Sequence, residues 1–254
     1  MRCLALIGFA AALAGSTTLA AAQGTAAKGA GAEGAPLAVI ELFTSQGCSS
    51  CPEADALLGR LAARGDVLAL SYSVDYWDYL GWKDTLASPK FTERQKAYKS
   101  TLGVPMVYTP MMVVNGLTHV NGGDEDKVVV ALEKSARIIA ATRVAIGMSE
   151  KDGHLVIEAG AAPSSVPAKD ATLWLAVIAK TVAVPIGRGE NRGRTITYTN
   201  VVRELIPVGM WSGQPVTVQL DRHSIARPGA ERYGVLLQQG RGGPIIGAAL
   251  LSEF

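Results

Sequence analysis

The sequence predicts an α/β N-terminal half followed by an antiparallel, sandwich-like β half. Short apolar runs alternate with amphipathic stretches over residues 37–141, the pattern of strands separated by helices. Residues 142–254 instead carry short alternating runs broken by turn-rich pieces, without a helical pattern. Each of these halves exceeds 100 residues of the 254, enough for a core of its own. Hydrophobic residues make up 48% and charged residues 18%, the balance of a folded chain rather than a disordered one. Lys plus Arg number 24 against 22 Asp plus Glu, and the net charge of +2 is spread without a basic block. No footprint for nucleic acid is therefore expected.

At the start, Met1 and Arg2 precede an apolar run, Cys3 to Leu13, that continues through small residues to Ala20-Ala21-Ala22. This is the pattern of a secretory signal peptide, residues 1–22. The run is short of the roughly 20 apolar residues that a bilayer span needs. No later segment supplies such a stretch, so no integral membrane segment is expected once the signal is removed. Residues 23–36 hold Gly or Ala at nine of fourteen positions and no large apolar side chain, and they read as a flexible tether. Export places the remainder in an oxidising compartment, periplasmic or secreted, and removal of Cys3 with the signal leaves Cys48 and Cys51 as the mature cysteines.

Leu37 to Phe43 is a strand, and Val67 to Val74 a second. Between them Pro52 fits a first helical turn, where its missing N–H costs nothing. Ala54, Leu57, Leu58, Leu61 and Ala62 then keep helical spacing up to the stop at Gly65, and strand, helix, strand at this spacing is a parallel βαβ unit. Ser88-Pro89 opens a second helix that ends at Gly103. Met111 to Val114 and Leu117 to Val120 form a hairpin around Asn115-Gly116. Asp124, Glu125 and Asp126 open a third helix whose stripe includes Val128, Leu132 and Ile139. Strands then follow at Arg143–Met148, His154–Glu158, Thr172–Ala179, Thr195–Tyr198, Val216–Leu220, Tyr233–Gln238 and Ile245–Leu251. The Gly187–Gly193 stretch reads as a charged hairpin loop, since no helix follows and the glycine spacing does not fit a phosphate-binding loop.

Chemistry concentrates in Cys48-Ser49-Ser50-Cys51. Cys48 falls at or just before a helix start, where unpaired backbone N–H groups and the positive end of the dipole favour a thiolate. Cys51, one turn on, lies within reach of it. A strand before and a helix after make this a candidate redox pair; a static disulfide formed after export is the alternative. Structural zinc is disfavoured, because it usually takes four ligands and His119, His154 and His223 are dispersed.

The runs Glu41 to Pro52 (ELFTSQGCSSCP), Val74 to Asp78 with Gly81 to Asp84, Tyr108-Thr109-Pro110 and Val113 to Gly116 resemble a bacterial secreted thioredoxin-like family of unknown function. Asn191 to Arg194 and Asn200 to Arg203 in the β half resemble it too, so the likeness covers most of the mature chain. It implies a thioredoxin-like fold for residues 37–141, a sandwich-like domain over 142–254, and thiol–disulfide exchange through Cys48 and Cys51, with Cys48 as the exposed sulfur. It also implies that Pro110 follows a cis peptide and faces the cysteines, with Thr109 offering its backbone to an extended substrate; an ordinary trans proline is the alternative. Ser73 and Met111 depart from the histidine and glutamine expected at their positions.

Further candidates surround this pair. Glu41, in a buried strand, is a candidate proton relay for Cys51, or else points to solvent at a strand end. Tyr76 and Trp77, in an aromatic-rich segment, line a substrate groove or cap the core. Cys48, Cys51 and His119 form an alternative copper set. The resulting expectation is an exported thiol–disulfide oxidoreductase acting on protein or small-molecule thiols. It needs no organic cofactor and exchanges electrons with a thiol- or disulfide-bearing exported protein and an unidentified donor or acceptor. A non-enzymatic binding module with a structural disulfide and a copper-binding chaperone are the competing readings.

Overall fold

A computed structural model describes residues 38–164 and 169–252. The expected signal peptide, tether and Cys3 lie outside the described residues. Strand β1 (Ala38–Thr44), helix α1 (Pro52–Ala62) and strand β2 (Val67–Ser73) form a parallel unit, in register from Ala38–Val67 to Thr44–Ser73. Both strands are buried on both faces, which is why they read as nearly continuous apolar runs. Helix α2 (Pro89–Thr101) is capped by Ser88, whose hydroxyl accepts from Lys90 N. Strand β3 (Met111–Val114) pairs antiparallel with β1 and with β4 (Thr118–Asn121), and helix α3 (Glu125–Ala140) follows, capped by Asp124.

The period-two alternation of β1 and β2 divides the helices between two faces. Ala38, Ile40, Leu42, Val67 and Ala69 pack against Leu57, Leu58 and Leu61 of α1 and Val128 and Leu132 of α3. Val39, Phe43, Leu68, Leu70 and Tyr72 face the other way, against Phe91 and Tyr98 of α2. Burying a side chain such as Leu58 or Phe43 contributes about 1.5–3 kcal/mol each.

Beyond α3 come β5 (Ile146–Lys151), β6 (His154–Ala159), β7 (Ala171–Pro185), β8 (Thr195–Trp211), β9 (Val216–Asp221), a four-residue helix α4 (Arg222–Ile225), β10 (Arg232–Gln239) and β11 (Ile245–Leu251). Each of the seven runs read from the sequence is a strand. However, β7 and β8 extend well past the expected Thr172–Ala179 and Thr195–Tyr198. The apolar alternation that marks a core strand gives way to Lys180, Thr181, Thr197 and Thr199, yet the ladder continues through Thr181–Thr199 and Val184–Ile196. The extended hairpin buries Val184, Ile186, Ile196 and Tyr198 in a further apolar cluster with Leu86, and carries its loop, residues 186–194, to the front of α1.

Strands β5, β6 and β9 form a sheet of their own, and Met148, Leu155 and Ile157 pack onto Leu173, Leu175, Val235 and Leu251 of the larger sheet. That sheet runs β11-β10-β7-β8-β2-β1-β3-β4, so strands from both sides of the expected boundary near residue 141 share it. The junction is β8 against β2, parallel at Ser71–Val201, with Asn200 Nδ2 donating to Ala69 O over 2.9 Å. The Asn115-Gly116 turn adds a second junction. Gly116 has φ +64, and any Cβ there would run into the backbone of Gly243 between β10 and β11.

Candidate functional site

The turn after β1 delivers the cysteine motif to the front of α1. Cys48 N donates to Ser45 O and Cys51 N to Cys48 O, both over 3.2 Å, and Cys51 is the residue preceding the helix. Pro52 takes the first helical position, as its fixed φ and absent N–H favour. Cys48 and Cys51 are joined as a disulfide. Both are buried, at 1% and 0% exposure, whereas Ser49 and Ser50 between them are exposed. The Cys48 expected to be exposed is thus buried in the oxidised protein, with Ser50 Oγ 3.4 Å from its sulfur.

The β7–β8 loop lies against the backbone of the motif. Asn191, 1% exposed, donates from Nδ2 to Gln46 O over 2.9 Å and to Cys48 O over 2.8 Å. Glu190 Oε2 accepts from Ser49 N over 3.2 Å. The loop was legible as a charged hairpin; its placement was not, because these contacts bridge more than 140 residues. The one local signal was an asparagine within a glycine-rich turn.

The aromatic segment closes the motif from another side. Gln46 N donates to Asp84 Oδ2 over 2.8 Å, and Gln46 Oε1 accepts from Trp82 Nε1 over 2.9 Å. Trp82 also packs beside Gly187 of the loop. Trp77 lies against Gly47 and donates from Nε1 to Thr109 Oγ1 over 2.8 Å, which ties the cysteine turn to Thr109–Pro110. The peptide between Thr109 and Pro110 is cis. Tyr76 and Trp77 are half-buried against the cluster of Phe43, Tyr72 and Phe91, so the segment packs as a cap while Tyr79 projects into solvent.

Two candidates are placed away from the cysteines. Glu41 is fully buried but points to the α2 face of the sheet, opposite α1. Arg94 grips it with Nε to Oε1 at 2.6 Å and Nη2 to Oε2 at 3.0 Å, and Tyr98 Oη also donates to it. The carboxylate is therefore neither orphaned nor at a solvent-facing strand end, and the strand alternation directs it away from Cys51. His119, on β4, shares a 2.9 Å hydrogen bond with Tyr108 Oη through Nδ1, and burial lowers its pKa. Among the described residues no three His, Cys, Asp or Glu side chains come together as a metal site, so Cys48, Cys51 and His119 do not form the copper set.

The carboxyl on the cysteine side is Asp55, which the sequence reading passed over. It stands one turn after Cys51, its backbone N donating to Cys51 O over 3.0 Å, and it is 2% exposed. Thr44 Oγ1 donates to Oδ2 over 3.1 Å, while Oδ1 has no partner among the described residues. Burial pushes this carboxyl up to about 8, against the Thr44 hydrogen bond that favours its charged form. Asp55 lines a cavity of about 550 Å³ with Pro52, Ala56, Gly59 and the start of β8. The Tyr198 hydroxyl, also buried and without a partner among the described residues, is pushed up by burial and by the Asp55 and Asp84 charges. An apolar stripe at helical spacing reports Ala54, Leu57 and Leu58; a polar residue beside it reads as surface, which hid Asp55.

Residues 39–238 match the family described as protein of unknown function (DUF1223). The chain belongs to the DUF1223 family. The crystal structure of protein AGR_C_4864 from Agrobacterium tumefaciens is similar to this DUF1223 chain at 37% identity and a TM-score of 0.76, covering 85% of this chain and 94% of that one. HBP35 of Porphyromonas gingivalis resembles the fold at 14% identity and a TM-score of 0.55, over 89% of this chain and 77% of that one. No curated protein matches the DUF1223 chain.

Proposed function

We propose that this DUF1223 chain is an exported thiol–disulfide oxidoreductase with a thioredoxin-like N-terminal half, acting on thiols or disulfides of exported proteins. The observation that carries the proposal is the Cys48–Cys51 disulfide at the mouth of α1, joined through Trp77 to Thr109 and cis-Pro110. The parallel β1-α1-β2 unit, the antiparallel β3–β4 pair and the position of the cysteines support the thioredoxin-like assignment. The signal-peptide pattern of residues 1–22 supports export to the periplasm or beyond.

In the oxidising direction a substrate thiolate attacks Cys48 Sγ, the S–S bond breaks, and its electron pair leaves on Cys51 Sγ. That thiolate then takes up from solvent the proton that the substrate thiol gave up. A second substrate thiol then attacks the mixed disulfide, so the substrate leaves as a disulfide and Cys48 and Cys51 remain as thiols. The reducing direction is the reverse. Residues 23–254 hold no further cysteine, so the electrons pass to or from another molecule.

A Cys51→Ser variant expressed in its exporting host tests the reading. Mixed disulfides with exported proteins should accumulate on Cys48 and disappear on treatment with dithiothreitol. A variant that captures none sinks the proposal. The burial of both cysteines favours one other reading, a binding platform with a permanent bridge. A reduction potential below that of the glutathione pool, together with failed trapping, would select it.

A further inference from the structure

We propose that the β7–β8 loop is a gate over the Cys48–Cys51 disulfide, latched by Asn191, and that it must swing off the motif before a thiol reaches Cys48. The inference rests on reading Cys48 as the point of attack. Three observations carry it. Both cysteines are buried although the two serines between them are exposed, with Ser50 Oγ 3.4 Å from Cys48 Sγ, so a thiol reaches neither sulfur until part of the surroundings moves. The β7–β8 loop holds the motif by its backbone: one Asn191 amide reaches the carbonyls of Gln46 and Cys48, and Glu190 takes the Ser49 N–H. These bonds leave both sulfurs free of the loop's polar groups, so the latch can open without changing the chemistry beneath it.

The loop is a tip on a fixed stem. Ile186 N donates to Arg194 O, and Gly193 N to Ile186 O, each over 2.9 Å, which pins the ends of the hairpin. Within the loop, Gly189 and Gly193 hold φ of +77 and +82, backbone states that side-chain-bearing residues rarely adopt. The tip is wedged in place by Trp82 beside Gly187 and Gly189, so the aromatic segment is the gatepost. An arriving chain with its own carbonyl acceptor would take over the Ser49 N–H from Glu190, which couples docking to opening.

The test is reduction of the oxidised full-length chain by dithiothreitol, followed by alkylation and mass measurement. A dithiothreitol thiolate attacks Cys48 Sγ, Cys51 leaves as a thiolate that is protonated, and the second dithiothreitol thiol closes its own disulfide, releasing reduced Cys48. With a gate, the rate rises with dithiothreitol and then levels at the opening rate. Asn191→Ala, which removes two hydrogen bonds, should raise that plateau about tenfold or more, and Glu190→Gln about threefold. Leu155→Ala, in β6 far from the motif, should destabilise the fold and leave the plateau alone. A rate that stays proportional to dithiothreitol and is equal in all variants overturns the gate, as does an Asn191→Ala plateau no higher than wild type. Reduction only at the rate of global unfolding, read by circular dichroism, overturns the gate and the proposed exchange together. Saturating, Asn191-dependent reduction without mixed disulfides on Cys51→Ser sustains the gate and removes only the exchange activity.

Discussion

Glu41 and Asp55 are two carboxyl side chains buried on opposite faces of the same sheet, and their surroundings differ in kind. Glu41 is fully answered: Arg94 meets both oxygens, and Tyr98, itself held by Gln238 Nε2 at 2.8 Å, adds another donor. Asp55 has one hydroxyl on one oxygen and nothing on the other. A satisfied buried ion pair fixes structure, whereas a half-satisfied carboxyl is held neutral and free to exchange a proton. Arg94→Met should break the first arrangement most severely. It strands Glu41 in the core, for an expected loss of about 3–5 kcal/mol in urea unfolding. A loss under about 1 kcal/mol would mean that the pair is not a structural element.

Asp55 should show itself through pH. Its carboxyl is pushed up to about 8 by burial, against roughly 3.9 in an unfolded chain. Between those values the folded protein binds more protons than the unfolded one, so stability falls as pH rises. The slope approaches 1.4 kcal/mol per pH unit across the window from about 4 to 8 and flattens above it. Asp84 is raised by burial as well, against its hydrogen bonds from Gln46 and Leu86, and adds a slope of the same sign. Asp55→Asn keeps the shape without the charge and should remove most of the slope in urea midpoints measured on the oxidised protein from pH 5 to 9. An unchanged slope would place the titration elsewhere and erase the contrast with Glu41.

The same pair shows what a sequence discloses. Local signals were readable because they are written within a few residues: Pro52 at a helix start, Asn115-Gly116 at a turn, the apolar stripe of α1, the alternation of β6 and β9. The cysteine pair at the mouth of a helix was readable for the same reason. Partners across the sheet were not. Arg94 is 53 residues from Glu41, and Asn191 is 143 from Cys48, and periodicity reports the face of an element without naming what faces it. Polar residues buried as pairs or latches also look like surface by composition. This is how Glu41 was taken for the relay while Asp55 was overlooked, and how the long β7–β8 hairpin was read as two short strands and a solvent loop.

The smallest expected effect bears on Thr44, the single donor to Asp55. Its hydroxyl favours the charged carboxylate, so Thr44→Val should carry the Asp55 titration to higher pH. Below about pH 7 the carboxyl is neutral in both proteins, and the variant should lose only about 1 kcal/mol, the contribution of one neutral hydrogen bond. Above pH 8 the wild type ionises with that hydroxyl in place, whereas the variant must ionise without it. The deficit should then grow towards about 2 kcal/mol, the range of a hydrogen bond to a charged group. Urea unfolding of both proteins at pH 6 and pH 9 measures the two deficits. If they are equal, Thr44 does not govern the charge on Asp55, and the carboxyl takes its raised proton affinity from burial and the nearby Asp84 charge.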